Sequence, residues 1–124
     1  MRVPFAPASV AVVRTRLKKW MAEQGVARDR IEDARVIVSE MVANAVRHAQ
    51  PLPDGSIAIS WFVADRGLQI SVTDGGSSTQ PHKVDAPSSA LAGRGLKIIE
   101  SLAVEWWAER SRSRSTVHAL LPTG

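Results

Sequence analysis

The stretch Val38-Ser39-Glu40-Met41-Val42-Ala43-Asn44-Ala45-Val46-Arg47-His48 places apolar and polar residues at helical spacing. Residues three and four apart lie on one side of a helix, so four polar residues project together, opposite an apolar stripe. These four are Glu40, Asn44, Arg47 and His48. The pattern predicts an amphipathic helix whose polar side can face either a ligand or solvent.

The polar side of this helix has two interpretations. A carboxylate beside an amide oxygen provides the hard oxygen ligands that Mg²⁺ prefers, and Mg²⁺ is usually shared with substrate phosphates. The carboxylate of Glu40 can also orient or deprotonate an attacking hydroxyl. Taken on helix spacing alone, a solvated surface with weak ion pairs is the more common outcome. The spacing therefore needs support from elsewhere in the chain.

Two helices are predicted in the first half of the sequence. In the first, apolar residues recur at helical spacing after Ser9, which is placed to cap the helix, and Gly25 is placed to end it. The second begins near Asp29, another good capping residue, and continues until Pro51 and Pro53 prevent further helix.

Strand patterns dominate the second half. The predicted elements are an edge strand at the N-terminus, a hairpin over residues 56–63 and 68–72, a helix over 95–102, and strands over 104–108 and 116–121. Residues 75–93 are rich in Gly, Ser and Pro, which predicts a functional lid. The order predicts an α/β two-layer sandwich, with helices on one face of a mostly antiparallel mixed sheet.

Two further motifs flank the predicted lid. Asp74 ends a strand and precedes Gly75 and Gly76, so its carboxylate can accept a hydrogen bond from an exocyclic amine while glycine lets backbone approach a flat base. Gly93 and Gly95 precede a helix whose N-terminal amides favour phosphate. Each motif has a plainer alternative, a strand-ending turn and a flexible helix start.

The order of these motifs resembles the GHKL superfamily, which includes gyrase, the heat-shock chaperone, histidine kinases and MutL. The matches are Glu40, Asn44, Ala45 and His48 to the N box (ExxxNAxxH), Asp74 and Gly76 to the G1 box (DxG), and Gly93, Gly95 and Leu96 to the G2 box (GxGL). The resemblance covers most of the chain and implies one histidine-kinase-like ATP-binding domain over residues 1–124.

The resemblance also implies roles for individual residues. Asn44 would hold Mg²⁺, Asp74 would contact the adenine amino group, and the residues from Gly93 to Leu96 would enclose the phosphates of ATP. Glu40 would be the general base. The remaining implied site residues are Arg94 near the γ-phosphate, Arg47 behind the direct ligands, His48 at the end of the N box, and Thr116 behind the adenine.

The small size and the phrase GRGLKIIESLAVEWW resemble the stand-alone anti-sigma-factor serine kinases. Such a protein would bind a sigma factor, phosphorylate a serine of an anti-sigma antagonist, or both. The alternative is a regulatory module with this fold that binds a protein partner without phosphoryl transfer. The sequence leaves open whether the chain forms a homodimer.

Composition limits the other possibilities. The 124 residues include no cysteine, and no segment approaches the ~20 apolar residues of a membrane span, so a soluble cytoplasmic protein is expected. The formal charge of +4 favours an anionic partner. Nucleic-acid binding by Arg110, Arg112 and Arg114 ranks last because no aromatic residues alternate with them. A P-loop enzyme is disfavoured because no GxxxxGK[ST] motif occurs.

Overall fold

The computed structural model describes residues 1–64, 67–76 and 94–123. In chain order the elements are β1 (Arg2–Pro4), α1 (Ser9–Glu23), α2 (Arg28–His48), β2 (Ser56–Ala64), β3 (Gly67–Asp74), α3 (Arg94–Leu102), β4 (Glu105–Arg110) and β5 (Ser115–Leu121). Every predicted helix and strand is present, with ends that differ by a few residues. Within the predicted lid segment of residues 75–93, residues 77–93 lie outside the described residues.

The five strands form one sheet in the order β1-β2-β3-β5-β4. Each neighbouring pair runs antiparallel. The predicted sandwich of helices on one face of a sheet is confirmed, and no parallel pairing mixes into the sheet within the described part of the chain. Among those residues no helix combines the length and apolarity needed to cross a bilayer.

The core lies between the helices and one face of the sheet. Side chains alternate between the two faces of a strand, and on β3 the core face bears Leu68, Ile70 and Val72, all at most 2% exposed. The helices cover this face with apolar residues at helical spacing. The fully buried ones include Val13 and Leu17 of α1 and Ala34, Ile37, Val38 and Val42 of α2. Each large buried side chain contributes ~1.5–3 kcal/mol relative to an exposed one.

The opposite face of the sheet bears a polar network centred on His118 of β5. Its Nδ1 lies 2.7 Å from the Ser71 hydroxyl, and its Nε2 lies 2.7 Å from a Glu109 carboxylate oxygen. Trp107 stacks on the imidazole with ring centroids 5.0 Å apart. The network joins β3, β5 and β4 across the sheet. Side-chain contacts therefore support the pairing of these strands in addition to the backbone hydrogen bonds.

Both predicted N-cap residues lie inside their helices. The residue preceding α1 is Ala8 and that preceding α2 is Ala27, and neither provides a side-chain cap. Asp29 lies in the first turn of α2, where its charge complements the helix dipole. Ser9 is buried and donates its hydroxyl hydrogen to the Pro4 carbonyl at 2.7 Å. This serine therefore ties α1 to β1.

The role of Ser9 as a tether can be separated from a capping role. Replacing Ser9 with Asp conserves capping ability but removes the hydrogen-bond donor to Pro4. We expect Ser9→Ala to lower the free energy of unfolding by ~1 kcal/mol, and Ser9→Asp to lower it further. Urea denaturation would measure both, with Thr15→Ala on the exposed side of α1 as control. Stability retained in Ser9→Asp would instead support capping.

Candidate functional site

The N box occupies the last turns of α2. Glu40 and Asn44 are partly buried, whereas Arg47 and His48 are exposed at the end of the helix. The amide oxygen of Asn44 is shielded from solvent and has no hydrogen-bond partner. A buried polar atom without a partner costs about 1–3 kcal/mol, so such an atom in a native fold calls for an explanation.

A metal ion would satisfy the Asn44 oxygen. Mg²⁺ takes oxygen ligands, and it is commonly held by one or two protein groups, waters and substrate phosphates. Within the described residues no cluster of three or more His, Asp or Glu side chains is present to hold a metal without such help. The Asn44 side-chain oxygen is therefore suited to be a ligand of a Mg²⁺ ion that binds together with a nucleotide.

The G1 residues form a tight turn at the end of β3. Asp74 is 6% exposed, and its Oδ1 accepts a hydrogen bond from the Gly76 amide at 2.7 Å. Gly76 has φ of 88°, in the left-handed region that favours glycine. The turn therefore fixes the position of the Asp74 carboxylate.

This turn is fastened to the segment that follows α2. The Gln50 amide donates to the Gly76 carbonyl at 2.9 Å, and the Gly75 amide donates to the Gln50 carbonyl at 2.8 Å. A Cβ atom on Gly75 would lie 2.1 Å from the Pro51 carbonyl oxygen, which is too close for any other residue. The paired backbones, here called the Gln50 clamp, connect the N-box helix directly to the G1 turn.

Burial governs the ionisation of Asp74. Desolvation raises the pKa of its carboxyl to about 6, and the opposing effects of the Gly76 hydrogen bond and the positive charge of Arg110 are smaller. Carboxylates with raised pKa values at the edge of a cleft occur often in functional sites. In the ligand-free protein, the charged form of the Asp74 carboxyl is therefore destabilised by burial.

The sheet register shows which face of the sheet Thr116 occupies. Directly paired residues of antiparallel strands point to the same face, and Asp74 pairs with Ser115 while Thr73 pairs with Thr116. The hydroxyls of Thr73 and Thr116 bond to each other at 2.8 Å on the other face. Ser115 is thus the hydroxyl residue on the side of Asp74, a position that sequence reasoning missed because one residue of register decides it.

The G2 segment reaches the site through α3. That helix begins at Arg94, includes Gly95 and Leu96, and packs on α2. Only the backbone placement of these three residues is described, and Gly93 lies outside the described residues. The helix that carries the N box is therefore linked to the G1 turn by the Gln50 clamp and is in contact with α3.

The N-box helix, the acidic turn at the end of β3 and a third helix that packs on α2 thus occur together in one α/β sandwich. A family model described as the histidine kinase-like ATPase domain matches residues 3–119, and the chain belongs to this family. The predicted membership is confirmed.

Named relatives narrow the comparison. The chain is 33% identical over 119 residues to the serine-protein kinase RsbW of Bacillus subtilis, covering 85% of this chain and 73% of that protein. It is 30% identical over 114 residues to the serine-protein kinase RsbW of Listeria monocytogenes, covering 82% and 73%.

A solved structure has the same fold. It contains the RsbU and RsbW domains of Rv1364c from Mycobacterium tuberculosis, with a TM-score of 0.74 and 24% identity. The match covers 98% of this chain and 32% of that one, so the present chain spans about a third of its length.

The raised pKa of Asp74 predicts how an amide at this position affects stability. A folded-state pKa near 6 lies above the ordinary 3.8, so the folded protein binds the proton more tightly and loses stability as pH rises from about 4 through 6. Asp74→Asn keeps the Gly76 contact without the charge, and we expect it to stabilise the ligand-free protein by ~1–3 kcal/mol above pH 6 and negligibly near pH 4.

Urea denaturation at the two pH values would measure the effect. Asp54→Asn is the contrasting variant, because hydrogen bonds from Ser56 lower the pKa of that exposed carboxyl. Loss of the Asp54 carboxylate should lower the free energy of unfolding at neutral pH. An Asp74→Asn protein no more stable than the original at either pH would contradict the account of burial given for Asp74.

Proposed function

We propose that the chain is an ATP-dependent protein serine kinase of the anti-sigma-factor type. The observation that supports this most is the buried, unpartnered amide oxygen of Asn44, on a helix whose following segment is hydrogen-bonded to the turn after Asp74. One group suits Mg²⁺ and the other suits the adenine amine. The similarity to serine-protein kinases named RsbW indicates the acceptor, a serine of a protein.

The residues of the chain would divide the work as follows. Asp74 accepts a hydrogen bond from the adenine amine, and the start of α3, from Arg94 to Leu96, offers backbone amides to the phosphates. ATP would supply the γ-phosphoryl group and leave as ADP, and Mg²⁺ held by Asn44 would neutralise charge on the phosphates. Glu40 orients the serine hydroxyl and accepts its proton. Arg47 and His48 lie at the exposed end of the same helix, where they border the approach of a partner.

The proposed partners are a sigma factor and an anti-sigma antagonist, and no contact with nucleic acid is proposed. A regulatory module that holds a protein partner without transferring phosphate is the second candidate. It is favoured by one observation, the exposure of polar N-box residues that a partner can reach without nucleotide. The two candidates differ in whether Glu40 is needed.

Calorimetric titration with ATP tests the site, and labelled ATP tests transfer. We expect Mg²⁺-dependent binding that Asn44→Ala reduces to its value without Mg²⁺. Glu40→Gln should keep ATP binding but lower phosphorylation of an antagonist protein by ~10²–10⁴-fold, the usual contribution of a general base. Glu23→Gln, an exposed charge at the end of α1, is the control.

These measurements separate the candidates. Absence of ATP binding would exclude the kinase. ATP binding with unchanged partner affinity in Glu40→Gln, and no transfer by either protein, would establish the regulatory module.

The register predicts which hydroxyl serves the adenine site. Ser115 lies on the Asp74 side of the sheet and Thr116 on the other side, so we expect Ser115→Ala to weaken ATP binding by about 1 kcal/mol or roughly fivefold, the value of one hydrogen bond. Thr116→Val, which keeps the shape of the side chain, should leave ATP affinity unchanged. The opposite result in calorimetry would place the adenine on the outer face.

A further inference from the structure

A cationic pocket lies at the turn between β4 and β5. The turn is closed by a hydrogen bond from the Ser111 amide to the Arg114 carbonyl, at 2.9 Å. It faces the Gln50 clamp across a cavity of about 260 Å³. The other lining residues are Gln50, Gly75, Gly76, Arg110, Arg112 and Arg114. We call this cavity the arginine pocket.

The arginine pocket brings together the positive charges of three arginines. Arg112 and Arg114 are exposed, and across residues 1–64, 67–76 and 94–123 neither forms an ion pair with a carboxylate. Arg110 is partly buried, and its charge acts on the carboxyl of Asp74. Guanidinium groups present planar arrays of donors that match carboxylate and phosphate oxygens. The geometry and the charge together suit an anionic group.

We propose that the arginine pocket binds a carboxylate side chain from an acidic segment of a protein partner. The cavity lies below the ~300–1,000 Å³ typical of small-molecule sites, so it suits a side chain better than a whole metabolite. The net charge of +4 favours encounter with an acidic surface.

Nucleic acid fits the arginine pocket less well. Binding of single strands usually combines positive charge with aromatic side chains on which bases stack. The turn residues 111–114 include no aromatic side chain. Trp107 in the adjoining strand already stacks on His118, and it lies on the sheet face opposite to Arg110. An acidic protein segment is therefore the occupant that the surroundings favour.

The arginine pocket shares one wall with the proposed nucleotide site. Gly76 donates to Asp74 and accepts from Gln50, so a group that docks in the pocket contacts the turn that positions Asp74. The pocket does not require phosphoryl transfer, and ATP affinity measured separately distinguishes its failure from failure of the nucleotide site.

A fluorescein-labelled hexaglutamate peptide is a suitable probe. We expect it to bind the intact chain at low salt and to shift the NMR signals of the Gly75 and Gly76 amides. The double variant Arg112→Gln/Arg114→Gln should weaken the peptide about tenfold, the effect of losing two exposed charge pairs, while ATP affinity is unchanged. The matched control is Arg16→Gln/Lys19→Gln on the exposed side of α1, which removes the same charge.

Four results would overturn the proposal. They are equal weakening in the two double variants, peptide-induced shifts that avoid Gly75 and Gly76, loss of ATP affinity in Arg112→Gln/Arg114→Gln, and binding of a thymidine oligonucleotide in preference to the peptide. The first two indicate general charge attraction. The third assigns the arginines to the nucleotide site, and the fourth assigns them to nucleic acid.

Discussion

The Gln50 clamp is the constraint on which the candidate site depends. Two backbone hydrogen bonds join Gln50, two residues beyond the end of α2, to the turn after β3. Glycine is the only residue type at position 75 that permits this approach. Without this contact, the N-box helix and the strand that ends in Asp74 would meet only through the apolar core. Core packing sets the distance between layers, but it does not orient polar groups at their edge. The clamp provides that orientation.

The site keeps features that lower the stability of the ligand-free fold. Asp74 is buried with a raised pKa, and the Asn44 oxygen is buried without a partner. Both costs would be recovered when a ligand with an amine donor and a metal ion occupies the site. Functional sites commonly retain such local costs, which the rest of the structure tolerates.

Most of the fold was predictable because its signals are periodic. Helical spacing identified α1 and α2, and alternation identified β2 and β3, since burial on one face imposes each pattern. The N-caps were not predictable from residue type. Serine is common at N-cap positions, but here the Ser9 hydroxyl donates a hydrogen bond to the Pro4 carbonyl instead.

The candidate site was predictable only in part. The N-box and G1 motifs could be recognised because each is local in sequence, and the structure joins the elements that carry them. The choice between Ser115 and Thr116 as the residue beside Asp74 could not be made from the sequence. The face of a strand residue depends on pairing register, which is a property of two strands at once. The Gln50 clamp and the arginine pocket also depend on contacts between distant segments, and the sequence has no local pattern that signals them.

The strand order has a consequence for how the molecule meets other chains. One border of the sheet is β1, only three residues long and ending in Pro4, which has no amide hydrogen to offer a neighbour. The other border is β4, whose six residues include Glu105, Glu109 and Arg110. Short borders interrupted by proline or charge resist the accidental addition of a foreign strand. The architecture thus steers association towards side-chain surfaces and helps keep a protein of this composition from forming extended sheets with its own copies.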